Sequence, residues 1–190
     1  MKNYWTELYK KFNDMSPSTF AVFCGTYICK DDTVLDLGCG NGRDAYYFAK
    51  KAKRVIGIDK NNCPKSSLFN LRFQLKDISS LMNSNIKNET IDIIYLRFLF
   101  HCIDNRLKNQ LLRWCYNSLI DNGLLMIENR DQGDKPLNLF GEHDRFLIDS
   151  SDFLMSVLGV GFKLIYFIKD KNLSPFRREN PLLFRIVAKK

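Results

Sequence analysis

Short apolar segments alternate with amphipathic segments along the chain from about residue 33 onward. The apolar segments are rich in Val, Ile and Leu and end at polar residues or glycines, which predicts buried strands. They lie at 33–37, 54–58, 71–75, 91–95, 123–128, 161–168 and 181–188. The spacing of apolar positions predicts helices over 43–52, 105–119 and 150–159. Strands that alternate with helices predict an α/β fold: a mainly parallel sheet with helices on both faces.

The sequence also predicts where two of these helices begin and end. The helix over 105–119 is expected to stop at the Asp-Asn-Gly sequence of residues 121–123. The helix over 150–159 is expected to be capped by Ser150 or Ser151, because a serine hydroxyl can accept a hydrogen bond from a backbone N–H of the first turn.

Two segments are candidates for mobile or functional parts of the molecule. Residues 129–141 are polar and contain two glycines and a proline, which predicts a functional loop or lid. The first 30 residues predict one or two helices with a break at 16–18. Residues 1–190 are therefore interpreted as a single domain, in which residues 1–30 form a helical segment and a possible lid.

Composition supports a folded protein and leaves the partner open. The chain has 190 residues, of which 45% are hydrophobic and 26% charged, so a buried core is expected and disorder is not. The formal net charge of +8 is compatible with nucleic acid, with phosphorylated substrates or with neither. Because no block of five or six basic residues occurs, charge alone does not identify the partner.

Cysteine and histidine usage bounds the compartment and the chemistry. Six cysteines without a C-x-x-C pair predict free thiols in a reducing compartment, and two histidines argue against a metal site. No apolar run is long enough to span a membrane, and the N-terminus lacks the apolar core of a signal peptide. A cytoplasmic protein that does not associate with membranes is the resulting expectation.

A glycine-rich motif, VLDLGCGNGRD at residues 34–44, lies between the first predicted strand and the first predicted helix. Glycines there allow a sharp turn and a close approach to a ligand beside a helix N-terminus. Asp59 ends the second strand, where a carboxylate can accept hydrogen bonds from both ribose hydroxyls of a nucleotide-like cofactor. A dinucleotide fingerprint counted from Gly38 would need glycine where Arg43 stands. A purely structural turn is the alternative.

The D-x-G-x-G-x-G spacing that begins at Asp36 resembles the first motif of class I S-adenosylmethionine-dependent methyltransferases. The resemblance covers nearly the whole chain after residue 30, including Asp59, an acidic position after the third strand (Asp77) and two late strands. It implies a Rossmann-like seven-stranded sheet whose last strand is antiparallel, with S-adenosyl-L-methionine as cofactor. It further implies that Asp59 holds the ribose and that Asp77 with Ile78 contacts the adenine.

The same resemblance assigns the glycine loop to the methionine part of the cofactor. Gly38 and Gly40 would line this part, and Asp36 would help to hold its amino group. Cys39, inside the loop, is interpreted as a small space-filling residue rather than a nucleophile. The predicted cofactor-binding residues are Asp36, Gly38, Cys39, Gly40, Arg43, Asp59, Lys60, Asp77, Ile78 and Tyr95.

Further segments resemble a bacterial subset of these enzymes that accompanies surface (capsular) polysaccharide genes, including those for O-methyl phosphoramidate decoration. The resemblance lies in RFLFH at 97–101, Glu128 after the fifth strand and HDRF at 143–146. Residues 16–18 followed by Phe20 fit the same pattern. It implies a small anionic acceptor, a phosphate- or phosphoramidate-bearing metabolite or capsular polysaccharide precursor, methylated on oxygen.

The predicted acceptor site lies over the carboxyl ends of the strands and is cationic. Arginine forks suit the oxygens of phosphates and carboxylates. A phosphate oxygen is already an anion and can attack without a base, whereas a sugar hydroxyl needs one, for which His101 is the candidate. The predicted catalytic residues are Arg97, His101, Glu128, His143 and Arg145, with Arg178 as a further candidate.

Structural interpretations of these residues stay open at this level. His101 could simply open the helix after the fourth strand, and His143 and Arg145 could be solvated in a polar loop. Glu128 could form a structural ion pair with Arg97 or Arg145.

Other classes of function are less well supported. Residues 95–98 (YLRF) differ from the Asn/Asp-Pro-Pro-aromatic signature of base methyltransferases, and only the positive charge favours RNA. A non-catalytic cofactor-binding module is a further alternative. We therefore expect a small anionic substrate, nucleic acid as an unlikely partner, no metal, and a monomer or weak dimer.

Overall fold

A computed structural model of the chain describes residues 15–83, 90–133, 146, 148–175 and 180–190. Within these residues, seven strands form one sheet in the order β3-β2-β1-β4-β5-β7-β6. The strands are β1 (Thr33–Leu37), β2 (Arg54–Asp59), β3 (Leu71–Leu75), β4 (Ile91–Arg97), β5 (Leu119–Arg130), β6 (Lys163–Asp170) and β7 (Leu183–Lys189). Strands β1 to β5 pair in parallel, whereas β7 is antiparallel to both β5 and β6.

Helices cover both faces of this sheet. The described helices are α1 (Thr19–Cys24), α2 (Arg43–Phe48), α3 (Ile78–Asn83), α4 (Asn105–Ser118) and α5 (Ser150–Val160), with a 3₁₀ turn at Phe100–Cys102. One apolar layer lies under α1 and α2, and a larger one lies under α4 and α5. The predicted Rossmann-like, mainly parallel seven-stranded sheet with an antiparallel last strand is thus confirmed.

The helix predicted over 105–119 ends one residue earlier, at Ser118, and the sequence at 121–123 that was predicted to stop it lies within β5. The helix stops at Ser118 because Leu119 already pairs with Ile91 of β4. The chain then turns through Asn122, which adopts a left-handed φ of 67°. A Cβ at Gly123 would lie 2.9 Å from the carbonyl oxygen of Ile120, so glycine is required at this close approach.

Two other local predictions differ from the structure, and one helix was not predicted. Helix α5 is capped by Asp149, not by Ser150 or Ser151: its carboxylate accepts from the backbone N–H groups of residues 151 and 152. Helix α3, which follows β3, was not predicted. The predicted helix over 43–52 ends earlier, at Phe48, although its apolar face is buried as expected.

The candidate loop and lid are described only in part. Asn129 and Arg130, the first residues of the predicted loop over 129–141, belong to β5, whereas residues 134–141 lie outside the described residues. Helix α1 begins directly after the predicted break at 16–18, and residues 1–14 lie outside the description. The six cysteines, all of which lie in the described residues, form no disulfide bond there. Among the described helices, none is long and apolar enough to cross a membrane.

Candidate active site

The glycine loop connects the carboxyl end of β1 to α2 at the edge of the sheet where β2, β4 and β5 also end. Gly38, Gly40 and Gly42 all have left-handed φ angles, of 76°, 56° and 82°. The backbone N–H of Gly38 donates to the carbonyl of Ile58 at 2.8 Å, which fixes the loop against β2. A Cβ at Gly42 would lie 2.6 Å from the ring of Phe73. The glycines are therefore required by the loop itself.

Asp59, at the end of β2, is held against this loop. One carboxylate oxygen, Oδ2, accepts a hydrogen bond from Gly40 N at 3.2 Å. The other accepts from the backbone N–H groups of Asn61 and Asn62 at 2.7 and 3.0 Å. The Asn62 amide closes the arrangement by donating to the carbonyl of Gly40 at 3.0 Å. The structure thus brings Asp59 to the glycine loop, and its ribose contact stays a prediction.

Asp36 is a buried carboxylate just before the loop, with 2% of its surface exposed. Its Oδ2 atom has no hydrogen-bond partner among the described residues. Burial raises the pKa of Asp36 well above its usual range, with smaller contributions from Asp44 and Asp59, while Arg97 lowers it. A buried oxygen without a donor is costly, so this position favours a ligand that supplies a hydrogen-bond donor or a positive charge.

The two residues predicted to contact adenine, Asp77 and Ile78, lie directly after β3. Asp77 is exposed, and its Oδ1 accepts from the backbone N–H of Ser79 at 2.9 Å. The hydrogen bond from the Ser79 hydroxyl lowers the pKa of Asp77 most; partial burial opposes it, and the Ser79 backbone N–H and the nearby Lys60 lower the pKa further. Ile78 is the first residue of α3 and packs against the larger apolar layer. Their contact with a cofactor stays a prediction.

Cys39 and Arg43 flank the turn of the loop. Cys39 is buried, and burial raises the pKa of its thiol far above the usual range. This environment suits a space-filling side chain and disfavours a thiolate nucleophile. Arg43 is the first residue of α2, with its Nε 3.8 Å from Asp44 Oδ1.

Tyr95 is the register partner of Asp36 on the neighbouring strand. Its ring packs between those of Phe20 and Phe48, at centroid distances of 5.2 and 4.9 Å. Its hydroxyl donates to Asp44 Oδ2 at 2.9 Å, and burial raises its pKa. The side chain that was predicted to bind cofactor thus joins β4 to α2.

Asp44 and Ser18 were not predicted as site residues, although Asp44 ends the glycine-rich motif and Ser18 belongs to the segment 16–18. Asp44 accepts from the backbone N–H and the hydroxyl of Ser18 at 2.7 and 2.8 Å. Ser18 also caps α1, its hydroxyl oxygen accepting from Ala21 N at 3.0 Å. The chain that leads into α1 is thereby fixed to the start of α2. Serine before an apolar segment was the available signal, and Asp44 had none.

Arg97, Glu128 and Arg185 form a buried cluster at the ends of β4, β5 and β7. Arg97 Nε donates to Glu128 Oε1 at 2.7 Å, and Arg185 Nε donates to Oε2 at 2.6 Å. Glu128 is completely buried, and the side chains of Arg97 and Arg185 are 17% and 8% exposed. Burial lowers the pKa of Arg97, but the nearby Glu128, and to a smaller extent Tyr95 and Asp44, raise it above its usual value, so this guanidinium stays charged.

This cluster confirms the ion pair between Glu128 and Arg97 that was one of the open alternatives. Arg185 was not predicted as a partner. It lies directly opposite Glu128 in the antiparallel register of β5 and β7, and no local sequence signal indicates that pairing. Its Nη2 also donates to Thr19 Oγ1 and to the carbonyl of Leu173, both at 2.8 Å.

His101 lies in the 3₁₀ turn between β4 and α4 and is 4% exposed. Its Nδ1 atom is 3.1 Å from Oδ1 of Asn129, a fully buried residue of β5 that the sequence analysis placed in a loop. Helix α4 begins later and is capped by Asp104, so His101 does not open it. The other predicted catalytic residues, His143 and Arg145, and the candidate Arg178 lie outside the described residues.

Comparison with known families identifies the chain. Residues 9–154 match the family described as methyltransferase domain. The chain belongs to this methyltransferase domain family. The predicted membership of a methyltransferase family is thereby confirmed, and it supports S-adenosylmethionine as the cofactor. In the part of this methyltransferase that the structure describes, no group of three or more His, Cys, Asp or Glu side chains could hold a metal ion.

Individual relatives are distant. A segment of 93 residues is 31% identical to phosphoethanolamine N-methyltransferase 3 of Arabidopsis thaliana, and the match covers 43% of this chain but 19% of the plant protein. The fold is similar to that of a SAM-dependent methyltransferase of Methanosarcina mazei, with a TM-score of 0.70 at 18% identity, over 88% of this chain and 96% of the other.

A second similar structure contains S-adenosylhomocysteine. The 1,6-didemethyltoxoflavin-N1-methyltransferase of Burkholderia thailandensis, bound to 1,6-didemethyltoxoflavin and S-adenosylhomocysteine, is similar with a TM-score of 0.71 at 18% identity. That similarity covers 90% of this chain and 76% of the other. At such identities the likeness establishes the fold.

Proposed function

We propose that this methyltransferase transfers the methyl group of S-adenosylmethionine to an oxygen of a small anionic metabolite. The observation that carries the proposal is the buried cluster of Arg97, Glu128 and Arg185. Two guanidiniums share one carboxylate there, so these three side chains together carry one net positive charge near the carboxyl ends of β4 and β5. A positive charge held in a region of low dielectric attracts an anionic ligand.

The residues at the glycine loop fit the proposed methyl donor. When bound, this cofactor supplies a sulfonium methyl group that an oxygen nucleophile can attack. Asp36 Oδ2, buried and without a partner among the described residues, suits the cationic amino group of the donor, because a positive charge offsets the cost of its burial. The left-handed backbone at Gly38 and Gly40 allows close approach to the loop, and Asp59 suits the ribose hydroxyls.

Among anionic metabolites we propose a phosphorylated or phosphoramidate-bearing precursor of a capsular polysaccharide. The support for this substrate is the sequence resemblance of residues 97–101, Glu128 and residues 143–146. With a phosphate-type acceptor, the nucleophilic oxygen already carries negative charge. The protein then has to orient the acceptor and exclude water, without moving a proton.

A sugar hydroxyl as acceptor, with His101 as base, is a second candidate. It is favoured by the contact between His101 Nδ1 and Asn129 Oδ1, which orients a buried imidazole at the same edge of the sheet. A neutral imidazole accepts a proton near neutral pH, so a hydroxyl could be activated there.

Matched pairs of sugars with and without a phosphate group, incubated with methyl-labelled S-adenosylmethionine, test the proposal. We expect methylated product from the phosphorylated member of a pair, and tandem mass spectrometry locates the methyl group on a phosphate or a hydroxyl oxygen. Equal methylation of both members contradicts an anionic acceptor. Methylation of RNA that falls steeply with salt would indicate a nucleic-acid enzyme instead.

The His101→Gln variant separates the two candidates for the acceptor. General-base catalysis contributes about 10²–10⁴-fold, so methylation of a hydroxyl should fall by about that factor. Methylation of a phosphate oxygen should change far less, because no proton has to move. Thermal melting of the variant serves as the control for folding.

A further inference from the structure

The pair formed by His101 and Asn129 is buried and held from several elements. His101 is 4% exposed and Asn129 0% exposed, and the two are 28 residues apart in sequence. The 3₁₀ turn is closed by the bond from Cys102 N to the carbonyl of Leu99 at 2.9 Å. Asn129 lies in β5, where it pairs in register with Phe184 of β7. Both side chains therefore start from fixed backbone positions.

We propose that Asn129 is a positioning residue that holds His101 in the neutral tautomer with its proton on Nδ1. The carboxamide oxygen can only accept, so the 3.1 Å contact requires an N–H at Nδ1. A neutral imidazole has one N–H, and the lone pair then lies on Nε2. The atom of His101 that accepts a proton is therefore Nε2.

The amide nitrogen of Asn129 also indicates that this side chain has a role beyond packing. Its Nδ2 atom is buried and has no hydrogen-bond partner among the described residues. A buried N–H donor without a hydrogen-bond partner is unfavourable because its desolvation is not compensated. An apolar side chain of similar size would therefore be buried at this position with a smaller free-energy penalty. Retention of the amide is explained by the contact that its oxygen makes with the imidazole.

The opposite orientation of the amide is incompatible with a base at this position. It would direct the Nδ2 donor of Asn129 at an unprotonated Nδ1 of His101 and place the ring proton on Nε2. Proton uptake would then bring two N–H donors face to face. With Oδ1 directed at Nδ1, the same hydrogen bond persists in the neutral ring and in the imidazolium.

The consequence for catalysis rests on the second candidate of the proposed function, a hydroxyl acceptor. The hydroxyl proton moves to Nε2 of His101 while the acceptor oxygen forms its bond to the methyl carbon. A bound S-adenosylmethionine would supply this methyl group, and the electron pair of the broken carbon–sulfur bond would stay on the sulfur. The imidazolium that results keeps its Nδ1–H donated to Asn129.

The tautomer can be observed by nuclear magnetic resonance, independently of turnover. The chain has two histidines, so protein labelled with ¹⁵N-histidine gives two ring systems, and His143→Gln assigns them. At about pH 8, where ordinary imidazoles are neutral, we expect the shift of His101 Nδ1 to be that of a protonated nitrogen and Nε2 that of an unprotonated one. The reverse pattern in the wild-type protein overturns the proposal.

Substitutions at Asn129 test the cause of that pattern. Asn129→Leu should move His101 toward the Nε2–H tautomer, whereas Asn129→Asp, which keeps an accepting oxygen, should retain the Nδ1–H form. Asn117→Leu, at an exposed position of α4, is the matched control and should leave the spectrum unchanged. An unchanged tautomer in Asn129→Leu overturns the role of Asn129. If Asn129→Leu does not fold, the spectra of the wild type and of Asn129→Asp still test the proposal, because loss of the Nδ1–H form in either of them overturns it.

Activity provides the separate readout. With a hydroxyl acceptor, Asn129→Leu should lower kcat by up to about 10²-fold with little change in KM, because the base is misoriented while binding persists. An Nδ1–H spectrum without methylation of any hydroxyl supports the positioning of His101 and overturns the hydroxyl candidate. A methylated hydroxyl together with an Nε2–H spectrum supports the hydroxyl candidate and overturns the positioning of His101 by Asn129.

Discussion

The two regions that meet at the carboxyl edge of the sheet are built in different ways. In the glycine-loop region (residues 36–43 and 59–62), the loop is held against the end of β2 and the residues after it by backbone and side-chain hydrogen bonds between residues at most 22 apart in sequence. The ion-pair region (Arg97, Glu128 and Arg185) is held by charged side chains that lie 31 and 57 residues apart.

This difference indicates what each region tolerates. Backbone conformation determines the first region, so a change of residue there acts through φ angles and close contacts. Charge balance determines the second, so a change that leaves a buried charge without its partner acts through desolvation. The following substitutions test this contrast, beginning with the largest expected effect.

Glu128→Gln should destabilise the protein by about 3–5 kcal/mol, because two buried guanidiniums lose the carboxylate that they share. The free energy of unfolding from urea titration measures the loss. Arg185→Met should cost less, because it leaves Arg97 and Glu128 as a neutral pair. Asp121→Asn, at an exposed position, is the control and should lie within about 0.5 kcal/mol of the wild type. If Glu128→Gln lowered the free energy of unfolding less than Arg185→Met does, the interpretation that both guanidiniums depend on the Glu128 carboxylate would be wrong.

Gly42→Ala should destabilise the protein by about 2–4 kcal/mol, since a left-handed backbone at 82° and a contact of 2.6 Å with Phe73 both oppose a Cβ. Thermal melting and urea titration measure the effect. The matched control is Gly159→Ala in α5, where no atom lies within 4 Å of the added Cβ. That variant should be stabilised by about 0.5–1 kcal/mol. Equal effects at the two glycines would show that the loop does not depend on its backbone conformation.

Asp36→Asn should have a small effect on stability at acid pH and the clearest pH dependence of the three substitutions. Because the pKa of Asp36 is raised in the folded state, the charged carboxylate opposes folding. The wild type therefore loses stability as pH rises from the unfolded pKa, about 3.9, through the raised folded pKa, and the variant does not. The difference in unfolding free energy between variant and wild type should grow from acid to neutral pH.

The same substitution should weaken binding of S-adenosylmethionine, measured by calorimetry, because it removes the buried negative charge proposed for the amino group. A difference in stability that is constant with pH would contradict the raised pKa. Unchanged affinity would contradict the assignment of Asp36 to the cofactor.

Much of the fold could be predicted because its strands are short, continuous apolar segments. Strands β1 and β3 have the predicted bounds, and the others differ by a few residues at their ends. The ends were less predictable: β5 begins at Leu119 because β4 offers Ile91 as a partner, and that pairing is a tertiary contact. The cap of α5 was also hard to predict, because several adjacent residues could serve; Asp149 caps the helix instead of a neighbouring serine.

Sequence and tertiary structure thus determined different parts of the site. The glycine loop and Asp59 could be predicted because left-handed turns demand glycine and because strand ends can be located from apolar patterning. Only the tertiary structure decided that Arg185 pairs with Glu128 and that Asn129 pairs with His101. Strand register brings together residues far apart in the chain, and a buried polar group selects its partner by distance and desolvation, which no local pattern encodes.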